Sequence, residues 1–322
     1  MKKELWGVII TLAVFVGIGF IIPVGSLAEY PERSVTLICP WPSGGSMDIQ
    51  SRAITEAAKK YFPKPIVVVN RPGAAGTIGA AEMIQAKPDG YTIGLSASAA
   101  LVLLPHLTKL PYGLPDDYTP IMKLTNMPIV FAIRSNSPWK TLSDVIEYAR
   151  ANPGNIRVGI TALKNFQHLD MEKLKAFAKI DLRVVPLDAP MNGLLGEHIE
   201  ATHQPAAEVM PHFKAGSARI LAIADEKRNS LFPEIPTYKE LGYDIPPSVY
   251  STVMGPKGLP PQVISKLHDT FKKAMQDPIF IKAVAPMILE PSYEGQDQIR
   301  KRLIKDYEQN AKSIKYFESK EK

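Results

Sequence analysis

The chain has 322 residues, of which 45% are hydrophobic, 22% charged and 8% aromatic, with a single cysteine. This ordinary globular composition excludes a disordered chain, a collagen-like repeat and a disulfide-stapled scaffold. The formal charge of +6 reflects 38 basic against 32 acidic residues spread along the sequence. The one dense basic cluster, Arg300, Lys301, Arg302 and Lys305, sits beside Asp306 and Glu308 on a helical pattern, so nucleic-acid binding is not expected.

The first 28 residues read as a targeting signal. Lys2 and Lys3 precede the uncharged run Leu5 to Ile22, then Pro23 and Gly25 break the helix, and Ser26-Leu27-Ala28 offers small residues to a signal peptidase. Cleavage after Ala28 and export are expected; the apolar run is also just long enough to span a bilayer, so an uncleaved N-terminal anchor is the alternative. Without those residues the charge is +5, because Lys2, Lys3 and Glu4 together contribute +1. Cys39 falls within a strand pattern and reads as a buried, inert thiol.

From residue 33 the pattern alternates short β-branched runs with helical stretches. Ser34 to Cys39 reads as a strand, Ser46 to Tyr61 as a helix, Ile66 to Val69 as a strand, Thr77 to Ala86 as a helix and Tyr91 to Leu95 as a third strand. Such alternation gives a βαβαβ unit built on a parallel sheet. The middle of the chain repeats it, with strands at Ile129 to Ile133, Arg157 to Ile160, Leu182 to Val185 and Ala218 to Ile223. Helices fall at Leu142 to Ala151 and near 167–179 and 190–198. Tyr250 to Gly255 is again a strand, and helices at 261–276 and 296–315 follow it with no new strand expected. A chain this long exceeds one hydrophobic core. The expected domains are residues 29–128 as a first α/β lobe, 129–248 as a second, and 249–322 as a return to the first, with a hinged ligand cleft between the lobes.

Two glycine-rich loops follow strands and open helices. Pro40-Trp41-Pro42-Ser43-Gly44-Gly45-Ser46-Met47-Asp48 lets backbone approach a ligand and leaves the first helical amides pointing outward, which suits an anion; a plain tight turn capped by Ser46 is the other reading. Asp48 and Arg52, four apart on the helix, are expected to pair and brace this loop. In the second loop, Gly73, Gly76 and Gly79 are three apart, which does not fit a dinucleotide fingerprint. No nucleophile elbow, Walker loop or His-Glu-x-x-His motif occurs, and the histidines at 106, 168, 198, 203, 212 and 268 lack metal-ligand spacing.

The runs Tyr30-Pro31-Glu32-Arg33-Ser34-Val35, Pro42-Ser43-Gly44-Gly45-Ser46-Met47-Asp48 with Arg52, Asn70-Arg71-Pro72-Gly73-Ala74-Ala75-Gly76-Thr77-Ile78-Gly79 and Lys87-Pro88-Asp89-Gly90-Tyr91-Thr92 resemble the extracytoplasmic solute receptors of tripartite tricarboxylate transporters, the Bug receptors. Further matches are Leu110-Pro111-Tyr112, Ala151-Asn152-Pro153-Gly154, Pro211 to Gly216, Phe232 to Thr237 and Gly255-Pro256, so the resemblance covers essentially the whole chain beyond the targeting segment. It implies a two-lobe, type II periplasmic-binding-protein fold of α/β class. In that fold the loop after the first strand holds the ligand carboxylate through backbone amides and ordered water, and Ser43, Gly44, Gly45 and Ser46 occupy it here.

The second lobe departs from the family pattern. Ile160 to His168 stands where a Ser/Gly-rich loop before a histidine is usual, with only Gly159 and His168 fitting. Leu187-Asp188-Ala189 replaces Tyr-Lys-Gly, and Gln204, preceded by His203, replaces an aspartate. The candidate ligand-binding set is Trp41, Ser43, Gly44, Gly45, Ser46, Asp48, Ser96, Ser98, Thr161, His168, Asp188 and Gln204. Trp41, Leu163 and Phe166 are expected to wall the cleft with apolar surface beside Lys164, favouring an acid with a hydrocarbon or aromatic body over citrate; packing of Leu163 and Phe166 into the second lobe, out of reach of ligand, is the other reading. The expected function is capture of a small organic carboxylate by a monomer and delivery to the membrane permease subunits of such a transporter, with no catalysis, no cofactor and no metal. The alternatives are a receptor that signals to a sensor protein and a hydrolase using the cleft.

Overall fold

The computed structural model describes residues 30–320 apart from Leu114 and Ser248. The expected signal sequence and its cleavage point lie outside the described residues. Among the described residues, no helix is long and apolar enough to cross a membrane.

The chain begins with β1 (Val35–Cys39), α1 (Ser46–Ala58), β2 (Ile66–Asn70), α2 (Thr77–Ile84), β3 (Thr92–Ala97), α3 (Ser98–Val102) and β4 (Tyr118–Asn126). A second set follows: β5 (Ile129–Arg134), α4 (Leu142–Ala151), β6 (Arg157–Ile160), α5 (Phe166–Ala178), β7 (Arg183–Pro186), α6 (Pro190–Leu195), β8 (Ala201–Pro205), α7 (Ala206–Lys214) and β9 (Ala218–Ala224). The chain ends with β10 (Tyr250–Pro256), α8 (Pro261–Ala274), α9 (Pro278–Val284), β11 (Glu290–Glu294) and α10 (Gln296–Lys320). One sheet has the order β11-β4-β10-β3-β1-β2 and the other β7-β6-β8-β5-β9, each at the heart of one lobe.

The registers show which edge of each sheet faces the other lobe. In the first sheet, β10 runs antiparallel to β3 with Ser251 opposite Ala97, and Tyr250 lies opposite Asn126, so the chain crosses at the carboxyl ends of β1 and β3. In the second sheet, Ile129 lies opposite both Pro205 and Ala224, so the crossings enter at the carboxyl ends of β8 and β9, and β6 runs parallel to β8. The loops after β1 and β6 therefore both lie on the crossing side, where open α/β sheets bind ligands.

The expectation that no strand follows Tyr250–Gly255 is corrected: β11 pairs antiparallel with the outer side of β4. Its sequence, Glu-Pro-Ser-Tyr-Glu, lacks β-branched residues and holds a proline, which an edge strand tolerates. Its last residue meets Lys123 of β4, which is only 1% exposed. Lys123 Nζ donates to Glu294 Oε1 at 2.7 Å, and Arg302 Nε of α10 donates to the same carboxylate at 2.8 and 3.0 Å. Arg302 also reaches Glu226, beyond β9, at 2.8 Å, so this network ties α10 to the second lobe.

Candidate functional site

Helix α1 starts at the carboxyl end of β1 behind Gly45, whose extended backbone (φ −76°, ψ 168°) makes it the N-cap. Glycine carries no side chain to satisfy the first turn, and Ser46, expected as a possible cap, is already inside the helix, so the opening amides are left for another acceptor. Together with the helix dipole they form a site for an anion. Ser43, Gly44 and Gly45 are exposed and Ser46 is half-buried, with Gln50 Nε2 3.5 Å from its Oγ.

The loop's own bonds divide these amides. Gly44 N–H donates to Asp48 Oδ2 at 2.9 Å and Gly45 N–H to the Pro42 carbonyl at 3.4 Å, so both are used within the loop. The amides left for an acceptor are thus those of the helix's first turn, from Ser46 onward, and Gly44 shapes the loop. At φ +82° it occupies the left-handed region that a glycine adopts without strain.

Asp48 is 2% exposed and faces inward, so a ligand-contacting role gives way to a bracing one. Arg52 Nε donates to its Oδ2 at 2.9 Å, Asn70 Nδ2 to its Oδ1 at 2.8 Å, and Arg52 Nη2 to Asn70 Oδ1 at 2.9 Å. Asn70 Nδ2 also donates to the Trp41 carbonyl at 2.9 Å, so one side chain from β2 ties both ends of the loop. Burial pushes the Asp48 carboxyl up, but hydrogen bonds from Arg52, Gly44 and Asn70 outweigh it and hold the group at about 2, below its ordinary 3.8. A lowered carboxylate value means stability that is complete above the unfolded value and lost as pH falls through the folded one. Asp48→Ala is expected to cost about 1–3 kcal/mol at neutral pH by stranding buried donors. Urea titrations should show that difference shrinking as pH is lowered from about 5 to 2.

Trp41 is half-buried, and a Cβ added at Gly76 would lie 2.6 Å from its indole. The second glycine loop therefore serves close packing, with Gly76 at φ +90° leaving room for the Trp41 ring against the backbone.

The corresponding loop of the second lobe is built differently. Asn165 caps α5 by accepting the His168 N–H at 3.0 Å. Thr161 is exposed but donates both its N–H and its Oγ1 to Gln167 Oε1 at 2.7 Å. His168, expected at the ligand, has its Nδ1 accepting the Lys164 N–H at 3.0 Å and its ring stacked on Phe317 of α10. Phe166, expected in an apolar wall, is 6% exposed within a core cluster containing Leu169, Ile314 and Phe317, whereas Leu163 is 51% exposed. Of the three expected wall residues, Leu163 is thus exposed, Trp41 half-buried and Phe166 buried.

Ser98 is fully buried, its Oγ accepting the Tyr250 N–H at 3.2 Å. Ser96 is 1% exposed and its Oγ has no partner, as is also true of Thr252 Oγ1 directly opposite on β10. Gln204 is 1% exposed and donates to Thr202 Oγ1 at 2.7 Å. Asp188 is exposed, just past β7, the outermost strand of its sheet. The sequence reading missed Asn70 and Gln50. Gln50, fully buried, accepts from Thr125 Oγ1 at 2.7 Å and Ser251 Oγ at 3.0 Å, joining the ligand-loop helix to the strands that cross between lobes. An asparagine ending a strand beside a glycine loop was the available signal for Asn70.

A cavity of about 410 Å³ lies elsewhere, between the segment after β9 and α10. Its lining carries Asp225, Glu226, Asp244, Glu294 and Asp306 together with Lys239, Lys301, Arg302 and Lys305, charges of both signs that largely offset one another, and none of the loop residues takes part.

Two α/β lobes joined by crossing strands, with an uncapped helix start facing the crossing side, define a two-lobe solute-binding protein of the type II periplasmic class. The match to the tripartite tricarboxylate transporter family receptor covers residues 50–317, and the chain belongs to that family. A UPF0065 protein of Cupriavidus necator is 33% identical over 273 residues, 84% of this chain and 83% of the relative. The solved TctC solute-binding protein from Polaromonas superposes with a TM-score of 0.82 at 29% identity, over 89% of this chain and 99% of that one. A Rhodopseudomonas palustris protein solved with adipate shares the fold at a TM-score of 0.70 and 24% identity, over 88% of this chain and 98% of that one.

Proposed function

We propose that the protein is an exported receptor that captures a small organic carboxylate between its lobes and delivers it to the membrane permease subunits of a tripartite tricarboxylate-type transporter. The observation that carries this reading is the glycine-led, side-chain-uncapped start of α1 at the carboxyl end of β1, held in place by Asp48, Asn70 and Arg52. That arrangement offers fixed dipoles without a mobile cation, which suits a carboxylate bound and released without chemistry.

Signal-sequence removal after Ala28 places the receptor outside the cytoplasm. The ligand has an apolar body: Trp41 and Leu163 flank the loops, and Gln204, spent on Thr202, offers no charge to a distal group. The adipate-bound relative carries a ligand of that type.

A thermal-shift series with adipate, malate and citrate tests the reading. An acid at about 100 times its Kd adds about 2.7 kcal/mol, or roughly 4–5 °C in a chain of this size. Adipate is expected to give the largest shift and to be recovered unchanged. No shift with any acid of a wider carboxylate panel would sink the receptor reading, conversion of the acid would favour a hydrolase, and citrate binding above adipate would overturn the apolar preference.

A further inference from the structure

Helix α10 is fixed to the first lobe through its middle turns. Tyr250 Oη donates to Asp306 at 2.7 Å, Asn310 Nδ2 donates to the Val102 carbonyl at 2.9 Å, and His106 Nε2 bonds the Tyr307 carbonyl at 2.9 Å. Its final turns nevertheless lie on α5 of the second lobe. Ile314 and Phe317 share a buried cluster with Phe166 and Leu169, and the Phe317 ring stacks on His168 with centroids 4.5 Å apart and planes inclined by 15°.

His168 has a second contact that gives the stack a consequence. Its Nδ1 accepts the N–H of Lys164 at 3.0 Å, and Lys164 sits at φ +60°, in the left-handed region that a residue with a Cβ occupies only when its surroundings hold it there. Lys164 lies in the loop between β6 and α5, directly before the capping Asn165, on the side of the lobe that faces the crossings. A chain of direct contacts thus runs from a first-lobe helix, through an imidazole, to the loop with which the second lobe meets the cleft.

We propose that Phe317 is a positioning residue for the second-lobe ligand loop, acting through His168. The stack keeps the imidazole in the one orientation in which Nδ1 points at the Lys164 amide, and the loop conformation follows. The first lobe thereby sets the shape of the opposing wall. The link to ligand rests on the receptor reading above; the positioning itself does not.

The bond requires a neutral ring with Nδ1 unprotonated. Burial holds His168 below its ordinary value, Glu172 (3.9 Å from Nε2) pushes back, and Lys175 and Lys164 add to the lowering. On the α10 side, Lys312 lines the same groove as Glu172 and Lys173. Phe317→Ala would admit water to the ring and free it to turn.

NMR of the protein tests this through two signals, the His168 ring titration and hydrogen exchange at the Lys164 amide. In the wild type, the Lys164 amide is expected to be protected, and its protection factor, which removes the intrinsic pH dependence of exchange, to fall as His168 protonates. Phe317→Ala should raise the His168 midpoint and speed Lys164 exchange about tenfold or more at pH 8, with Phe317→Tyr restoring both. Unchanged midpoint and exchange in a folded Phe317→Ala variant would overturn the proposal. With adipate as probe, the same variant should lose about tenfold in affinity and Phe317→Tyr should regain it. Loop signals that move while adipate affinity stays constant would overturn the link to ligand. Absence of adipate binding in the wild type counts against the ligand class, and the two loop signals still decide the positioning.

Discussion

Gly44→Val is expected to weaken carboxylate binding by about a hundredfold or more while lowering the melting temperature by only a few degrees. The loss is a backbone effect. A Cβ at Gly44 meets nothing within 4 Å, so there is no clash to absorb, but φ is +82° and a β-branched residue is strained there by about 1–2 kcal/mol. The exposed loop relieves the strain by moving, which pulls the Gly44 N–H from Asp48 and displaces the first-turn amides of α1 by more than a hydrogen bond tolerates. Gly216 supplies the control: it has φ +71° and equally open surroundings, and it lies in the turn after α7. Gly216→Val should show a comparable thermal loss with unchanged affinity. Calorimetric titration of both variants with adipate checks the pair, and equal affinities would remove the loop from the binding site.

Glu294→Ala is expected to destabilise the protein by about 3–5 kcal/mol, because it leaves the ammonium of a fully buried lysine without its partner. Lys123 is 1% exposed, and burial already pushes its amine below the ordinary value while Glu294 pushes back. The same substitution takes one of two carboxylates from Arg302, which retains Glu226. Urea denaturation of Glu294→Ala, Lys123→Met and the double variant separates the effects: the double variant should be more stable than Glu294→Ala alone, since the stranded charge is gone. A double variant as unstable as the sum of the singles would show that the pair does not interact.

Residue Lys123 also explains where sequence reading stops. The strands Ile129–Arg134, Arg157–Ile160 and Ala218–Ala224 and the helix Leu142–Ala151 were legible because their apolar periodicity agrees with their burial. Strand β4 was not, since Tyr-Thr-Pro-Ile-Met-Lys-Leu-Thr-Asn interrupts its apolar run with a proline, a lysine and threonines. Those polar positions are buried because distant residues, Glu294 for Lys123 and Gln50 for Thr125, satisfy them across 171 and 75 positions of sequence. No local pattern encodes such partners. The carboxylate loop shows the same division. Its glycines and following helix announced an anion site, but the assignment of Gly44 and Asp48 to the brace depends on Asn70, which arrives from the next strand. Likewise Phe166 reads as cleft wall until Phe317, from the far end of the chain, covers it.

The place of β10 has a consequence for the order in which the lobes can form. Strand β10 lies between β4 and β3 in the first sheet, yet it is the last but one strand along the chain. Until Tyr250 to Pro256 has emerged, β4 has no bond to β3 and the first sheet exists only as two separate pieces. The second sheet, by contrast, is complete once Ala224 has been made, because its five strands run consecutively from β5 to β9. The lobe carrying α1 is therefore assembled around its partner already in place. A chain cut short before residue 250 would present the exposed flanks of β3 and β4 as open edges, the kind of surface on which unfinished chains associate.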